Sequence, residues 1–250
     1  MLLIFYALEV EIRPFRRRLH RLRRWAAEGC NGWQGSLGDT EITLVETGVG
    51  IQRAASSARR ALELMGSARS VISTGVAGAL SEELAVGTIV VADRLLCPSP
   101  DSNTEFTVIV PERGCAQSLA QVLTGVGLSV AVGPALTVPA ALSDGLSKRA
   151  AHARSGAIAV DMESAAIAGE AQARGVNFVY ARSVLDAVDD RLPPSRLLDE
   201  NGNIRPAATA AFLLRRPAMF FKWAPRIARN LGVATIRLAE ALETLARRPT

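Results

Sequence analysis

Three acidic residues, Glu11, Glu163 and Asp186, stand where an apolar run gives way to loop or helix. Glu11 comes after Leu2–Tyr6, Glu163 follows Val160-Asp-Met, and Asp186 comes after Asn177–Ala181. Strand ends of this kind gather at one edge of an α/β sheet, where ligands bind and positioned carboxylates give and take protons. Any one of them alone is more often a helix cap or a surface charge, and Glu163 reads also as a first-turn helix acid favoured by the dipole. Three of them beside a glycine segment point to a site. That segment, Thr74-Gly-Val-Ala-Gly78, reads as a turn closing the strand Val71–Ser73. It lacks the spacing of a dinucleotide fingerprint and the lysine of a phosphate-binding loop. Its small residues would still let a ligand such as a sugar or a base come close to the backbone.

The elements that must position these residues follow from hydrophobic spacing. Leu2–Tyr6 is a compact apolar run suited to a buried strand. From Glu11 onward Ile12, Phe15, Leu19 and Leu22 recur at helical spacing with arginines between them, predicting an amphipathic helix with a basic outer face. Glu41–Glu46 alternates like a strand, and Gly48-Val-Gly50 leads into a helix from Gln52 to Met65. Thr88–Ala92 is strand-like, Cys97–Asn103 with its two prolines is a loop, and Gly114–Leu123 and Leu142–Arg154 are helical. Ala157–Val160 and Asn177–Ala181 read as strands flanking a helix from Glu163 to Arg174. Asp189–Pro206 reads as an exposed loop and Ala207–Arg247 as helical. Strands alternating with helices predict a three-layer α/β/α sandwich around a mixed, largely parallel sheet. No internal repeat or low-complexity linker interrupts the chain, so a single domain over 1–250 is expected, ending in a basic amphipathic segment at about 207–247.

The composition narrows the function classes. With 250 residues, 49% of them hydrophobic, and a mean hydropathy of +0.19, the chain can bury a sizeable core and is not disordered. No apolar stretch approaches the roughly 18 residues of a transmembrane helix. Met1 to Leu8 has no basic flank and reads as a strand instead of a signal peptide. Three scattered cysteines and two histidines argue against a disulfide framework or a metal site, and a reducing cytoplasm is expected. The net charge of +5 is concentrated in seven arginines from Arg13 to Arg24 and in a second cluster from Arg215 to Arg248. Such ends suit a solvated helix face or an anionic surface. No nucleic-acid module accompanies them, and no nucleic acid is expected as partner.

The ordered set Ala7-Leu-Glu-Val-Glu11, Ser73-Thr-Gly-Val-Ala-Gly78, Val160-Asp-Met-Glu-Ser-Ala-Ala166 and Arg182-Ser-Val-Leu-Asp186 resembles the nucleoside phosphorylase and nucleosidase superfamily. The well-known branch it is most similar to is methylthioadenosine/S-adenosylhomocysteine nucleosidase. Ala7-Leu-Glu-Val-Glu-Ile-Arg-Pro-Phe15 and the tail Phe220-Phe-Lys-Trp223 resemble the hopanoid-associated phosphorylase/nucleosidase. The resemblance implies cleavage of an N-glycosidic bond with no cofactor. It assigns Asp186 as the acid for N7 of adenine, Glu11 as the carboxylate that orients and deprotonates water, and Arg182 as the group steadying both Glu11 and water. Glu163 would accept from the ribose hydroxyls, Met162 would lie beneath the sugar, and Gly75, Val76, Gly78, Ala141 and Leu142 would line the nucleoside. A homo-oligomer is expected.

Three departures carry the substrate reading. Val76 and Leu185 stand where the nucleosidases commonly have serine, and Thr137-Val-Pro139 replaces their serine-glycine-aspartate. The pocket becomes more apolar, as a hydrophobic 5′ substituent needs. The resemblance to the hopanoid-associated branch implies the reaction adenosylhopane plus water to ribosylhopane plus adenine. The alternatives within the enzyme class are hydrolysis of methylthioadenosine or S-adenosylhomocysteine and phosphorolysis, the latter with Arg53 beside a glycine turn as a second phosphate-binding candidate. A basic scaffold without catalysis is a third reading. Phe212, Phe220, Phe221, Trp223, Ile227, Leu231 and Ile236 lie among basic residues, and the tail helix could either pack on the domain or lie peripherally on the inner face of the membrane.

Overall fold

In the computed structural model, residues 1–66, 68–99, 105–111, 114–191 and 217–247 are described, with side chains in the last stretch from residue 225 onward. The chain starts with β1 (Leu2–Tyr6), α1 (Glu9–Arg16), β2 (His20–Ala27), β3 (Cys30–Leu37), β4 (Thr40–Glu46), α2 (Ile51–Leu64), β5 (Ser70–Ala79) and β6 (Ile89–Pro98). It continues with β7 (Phe106–Ile109), α3 (Cys115–Gly125), β8 (Val130–Thr137), α4 (Gly145–Ser155), β9 (Ala159–Asp161), α5 (Ser164–Gln172), β10 (Asn177–Asp186) and α6 (Pro217–Ala246).

β1 lies parallel between β4 and β5, and all five of its residues are buried. A strand covered on both faces needs apolar residues throughout, which is why Leu2–Tyr6 reads as a continuous run. Successive side chains point to opposite faces. Leu3 and Phe5 pack with Ala54, Ala58, Ala61 and Leu62 of α2 and Ile167, Ala168 and Ala171 of α5. Leu2, Ile4 and Tyr6 pack with Ile12 and Phe15 of α1, Leu123 of α3 and Leu238, Leu242 and Leu245 of α6. Those two clusters are the two interfaces of the expected three-layer sandwich. The sheet is mixed: β10 pairs parallel with β5 and antiparallel with β6, and β5 also pairs antiparallel with the short β9.

Several local expectations change. The helix predicted through Leu22 stops at Arg16, and His20–Ala27 is an edge strand against β3. Ile12 and Phe15 are buried on α1 and Leu19 lies in the turn that follows, but Leu22 is 38% exposed on the strand. Helical spacing continued across the break by coincidence, and Arg21, Arg23 and Arg24 belong to a charged edge, which resists pairing with another strand. β3, β7 and β8 were not anticipated. Gly32, Gly35 and polar neighbours hide β3 from an apolar pattern. The segment expected as a glycine turn is instead the second half of β5, because β10 and β9 both hydrogen-bond to it. Cys97 and Pro98 end β6 instead of opening a loop, and Asp190, expected in an exposed loop, is buried.

The tail resolves in part. From Asn230 onward α6 is a core helix: Leu238, Leu242 and Leu245 are buried, a contribution of about 1.5–3 kcal/mol for each fully buried side chain. Arg18 and Glu243 form an ion pair of 2.7 Å that ties α6 to the end of α1. Ile236 faces outward, 51% exposed. Residues 207–216, including Phe212, and the side chains of Phe220, Phe221 and Trp223 lie outside the described residues.

Candidate active site

Glu11 is the third residue of α1, and its side chain turns back over the helix start. Oε2 accepts from the main-chain N–H of Leu8 at 2.9 Å and of Ala7 at 3.2 Å. Oε1 accepts from the N–H of Val76 on β5 at 3.1 Å. The reach back to Leu8 is half of a capping box, and the N-terminal dipole favours a carboxylate there. The side chain is nevertheless buried, and that desolvation raises its pKa above the usual carboxylate value despite Arg182 and the three N–H donors.

Arg182 comes from β10 and is buried with 1% exposure. Nε donates to Ser164 Oγ at 3.1 Å, Nη1 to the carbonyl of Val76 at 3.1 Å, and Nη2 to Ser73 Oγ at 3.5 Å. Nη2 also lies 3.1 Å from Glu163 Oε2, and Nε 3.6 Å from Asp161 Oδ2. Burial opposes its charge, but Asp161 and Glu163 outweigh that and hold the guanidinium protonated. The same guanidinium therefore grips both the strand behind Glu11 and the carboxylate of Glu163.

Glu163 is the N-cap residue of α5, yet its side chain does not cap that helix. Asp161 does so, accepting from the N–H groups of Glu163 and Ser164 at 2.9 and 3.0 Å and from Thr137 Oγ1 at 2.9 Å. Freed from capping, Glu163 accepts from the N–H of Gly50 at 2.9 Å. Desolvation raises its pKa to about 7, with Arg182 opposing and Asp161 adding to the rise.

Asp186 ends β10, just past a bulge after Val184. It forms a buried ion pair with Lys148 of α4. Desolvation raises its pKa to about 6, with Lys148 opposing and Asp190 adding. A carboxyl near neutrality can carry a proton into a reaction and release it.

β5 relates the two ends of the site. Opposite β10, Gly75 pairs with Arg182 and Gly78 with Asp186. A Cβ at Gly75 would stand 2.9 Å from Glu11 Oε1, and one at Gly78 would stand 3.3 Å from Asp186 Oδ2. The glycines leave room for the carboxylates. They lie three residue steps apart along the strand, about 10 Å. Between lies a cleft of about 160 Å³ lined by Val76, Ala141, Leu142, Met162, Glu163 and Leu185, together with Glu11, Arg182 and Asp186. Of the candidates from the sequence, Glu11, Val76, Gly78, Ala141, Leu142, Met162, Glu163, Arg182 and Asp186 reach this cleft, Gly75 backs it beneath Glu11, and Arg53, the second phosphate-binding candidate, does not line it.

Asp161 and Lys148 were missed. Asp161 was read only as part of a motif. Lys148 had a visible signal, since Lys148 and Lys222 are the two lysines in a chain with 29 Lys and Arg together.

Buried carboxylates near the carboxyl ends of strands, flanking an apolar cleft, are an arrangement in which an α/β fold can place acid–base chemistry. The chain belongs to the phosphorylase superfamily, whose sequence profile matches residues 2–215. Its fold is similar to that of S-adenosylhomocysteine nucleosidase from Streptococcus pyogenes in complex with 5-methylthiotubericidin. That match has 22% identity and a TM-score of 0.76, covering 100% of this chain and 97% of that one. The 5′-methylthioadenosine/S-adenosylhomocysteine nucleosidase of Neisseria meningitidis aligns at 18% identity, TM-score 0.75, covering 98% and 97%. Futalosine hydrolase of Helicobacter pylori aligns at 17%, TM-score 0.74, covering 98% and 96%. Among the described residues no helix is long and apolar enough to cross a membrane.

Proposed function

We propose that the protein hydrolyses the N-glycosidic bond of an adenine nucleoside carrying an apolar 5′ substituent, with adenosylhopane as substrate and ribosylhopane and adenine as products. The observation that carries this reading is the pair of buried carboxylates, Glu11 above Gly75 and Asp186 above Gly78, on either side of the cleft. One carboxylate at the leaving group and another at the water is the arrangement of an inverting glycosidase.

In this reading protonated Asp186 gives its proton to N7 of adenine. The C1′–N9 bond breaks, its electron pair passes into the purine, and the sugar becomes an oxocarbenium ion. Glu11 takes a proton from water as the oxygen bonds to C1′. Glu163 accepts from a ribose hydroxyl, Met162 lies beneath the sugar, and Arg182 fixes Glu163 and the Val76 backbone. Water is favoured over phosphate because each nitrogen of Arg182 is engaged by protein oxygens. The nucleosidases of similar fold hold adenine-like nucleoside analogues. Val76, Leu142 and Leu185 in the cleft lining support an apolar substituent.

The test incubates purified protein with adenosylhopane and with methylthioadenosine, each with and without phosphate. Adenine release from adenosylhopane without phosphate, and a sugar product of ribosylhopane mass, are expected. A phosphorylated sugar would replace hydrolysis by phosphorolysis, preference for methylthioadenosine would replace the lipid substrate, and no adenine from either would end the proposal.

A further inference from the structure

Lys148 has no exposed surface, which is rare for a lysine unless it is paired. It lies in the first turn of α4, whose start is capped by Asp144 accepting from Ser147 N–H at 2.9 Å. Its ammonium has three donors, and three acceptors converge on it: Asp186 Oδ2, the carbonyl of Ala187 at 2.7 Å and the carbonyl of Asp190 at 3.5 Å. Asp190 in turn accepts from the N–H of Ala187 at 3.0 Å. The segment after β10 is thus wrapped around one buried cation. A strut alone would not need to place that cation on a cleft carboxylate, since an apolar side chain fills a buried site at lower desolvation cost.

We infer that Lys148 is a positioning residue for departure of the base: it fixes one oxygen of Asp186, turns the other toward the purine, and stabilises the carboxylate that forms as the proton leaves. This rests on reading Asp186 as the general acid. The proton moves from the Asp186 carboxyl to the purine nitrogen, the C1′–N9 electron pair passes into the purine, and Lys148 remains an ammonium throughout. The charged groups facing Asp186 are Lys148 from α4 and Asp190 from the following turn, the latter paired with Arg226 of α6. Gly78 of β5 and Val160 of β9 close the other side and bring no charge. Loss of Lys148 therefore makes Asp186 a weaker acid that keeps its proton to higher pH.

The experiment measures kcat/KM for adenine release across pH in wild type, Lys148→Met, Asp186→Asn and the double variant. For Lys148→Met the alkaline limb should move up by a unit or more, with a loss on the order of tenfold per unit at the acidic end that shrinks as pH rises. The double variant should release adenine within about twofold of Asp186→Asn, because groups that act as one unit are not additive. Lys148→Gln, which keeps a donor and drops the charge, should show the same displaced limb and carries the test if the methionine variant does not fold. A loss that is equal at every pH, or a double variant whose losses multiply, would overturn the inference and leave Lys148 as a strut. Full adenine release by Asp186→Asn would instead overturn the general-acid reading beneath it.

Discussion

Gly75 lies directly beneath the carboxylate of Glu11: a Cβ there would approach Oε1 to 2.9 Å and Oε2 to 3.0 Å, and the backbone already sits at φ +136°. Gly75→Ala therefore forces Glu11 off the N–H groups of Val76 and Leu8 and strains the strand, at a cost of about 1–3 kcal/mol. Turnover is expected to fall more than 100-fold, roughly the loss of a positioned base. Thermal unfolding and adenine release measured on the same preparation check both effects, and unchanged turnover would separate Glu11 from the chemistry.

Glu11→Gln keeps the shape but turns one acceptor into an NH2 facing main-chain N–H donors. A loss of about 10²–10⁴ in kcat is expected for removal of a general base. Substrate affinity should change little, which single-turnover adenine release against nucleoside concentration will read.

Arg182→Met leaves Asp161 and Glu163 as buried carboxylates without their cation. Breaking such a pair on one side costs about 3–5 kcal/mol. Urea unfolding should show that loss, and adding Glu163→Gln should recover part of it by removing one of the orphaned charges. Additive losses would mean the two residues do not interact.

Stability should also depend on pH in a direction set by the site. Glu163 is raised from 4.5 to about 7 and Asp186 from 3.8 to about 6 in the folded chain. Each binds its proton more tightly folded than unfolded, so its contribution is fully present below the unfolded value and lost as pH rises through the folded one. Unfolding free energy measured at about pH 5 and about pH 8 should fall less for Glu163→Gln and Asp186→Asn than for wild type. An unchanged difference in both variants would contradict the raised values.

How far these features were legible before folding differs by element. β1, β4, α2 and α5 were recognisable because burial on one or two faces leaves a periodic apolar trace. β2 and β3 were not, because an edge strand tolerates arginine and a covered one tolerates glycine when its neighbours supply the hydrogen bonds. The glycines of β5 suggested a turn because local propensity favours one; pairing with β10 and β9 overrode it. Lys148 lies 38 residues from Asp186, and no local pattern signals a partner at that separation.

The sequence by itself determined the alternation of strands and helices, the acidic residues available for chemistry and the apolar replacements Val76 and Leu185. These are matters of residue type and short-range spacing. Only the tertiary structure decided what each acid does with its charge. It gave Asp161 to the helix cap and thereby freed Glu163 for the cleft. It buried Arg182 between the two, and set Lys148 on Asp186. Desolvation and Coulomb interaction depend on which groups are brought within a few ångströms of one another, and chain order does not specify that distance.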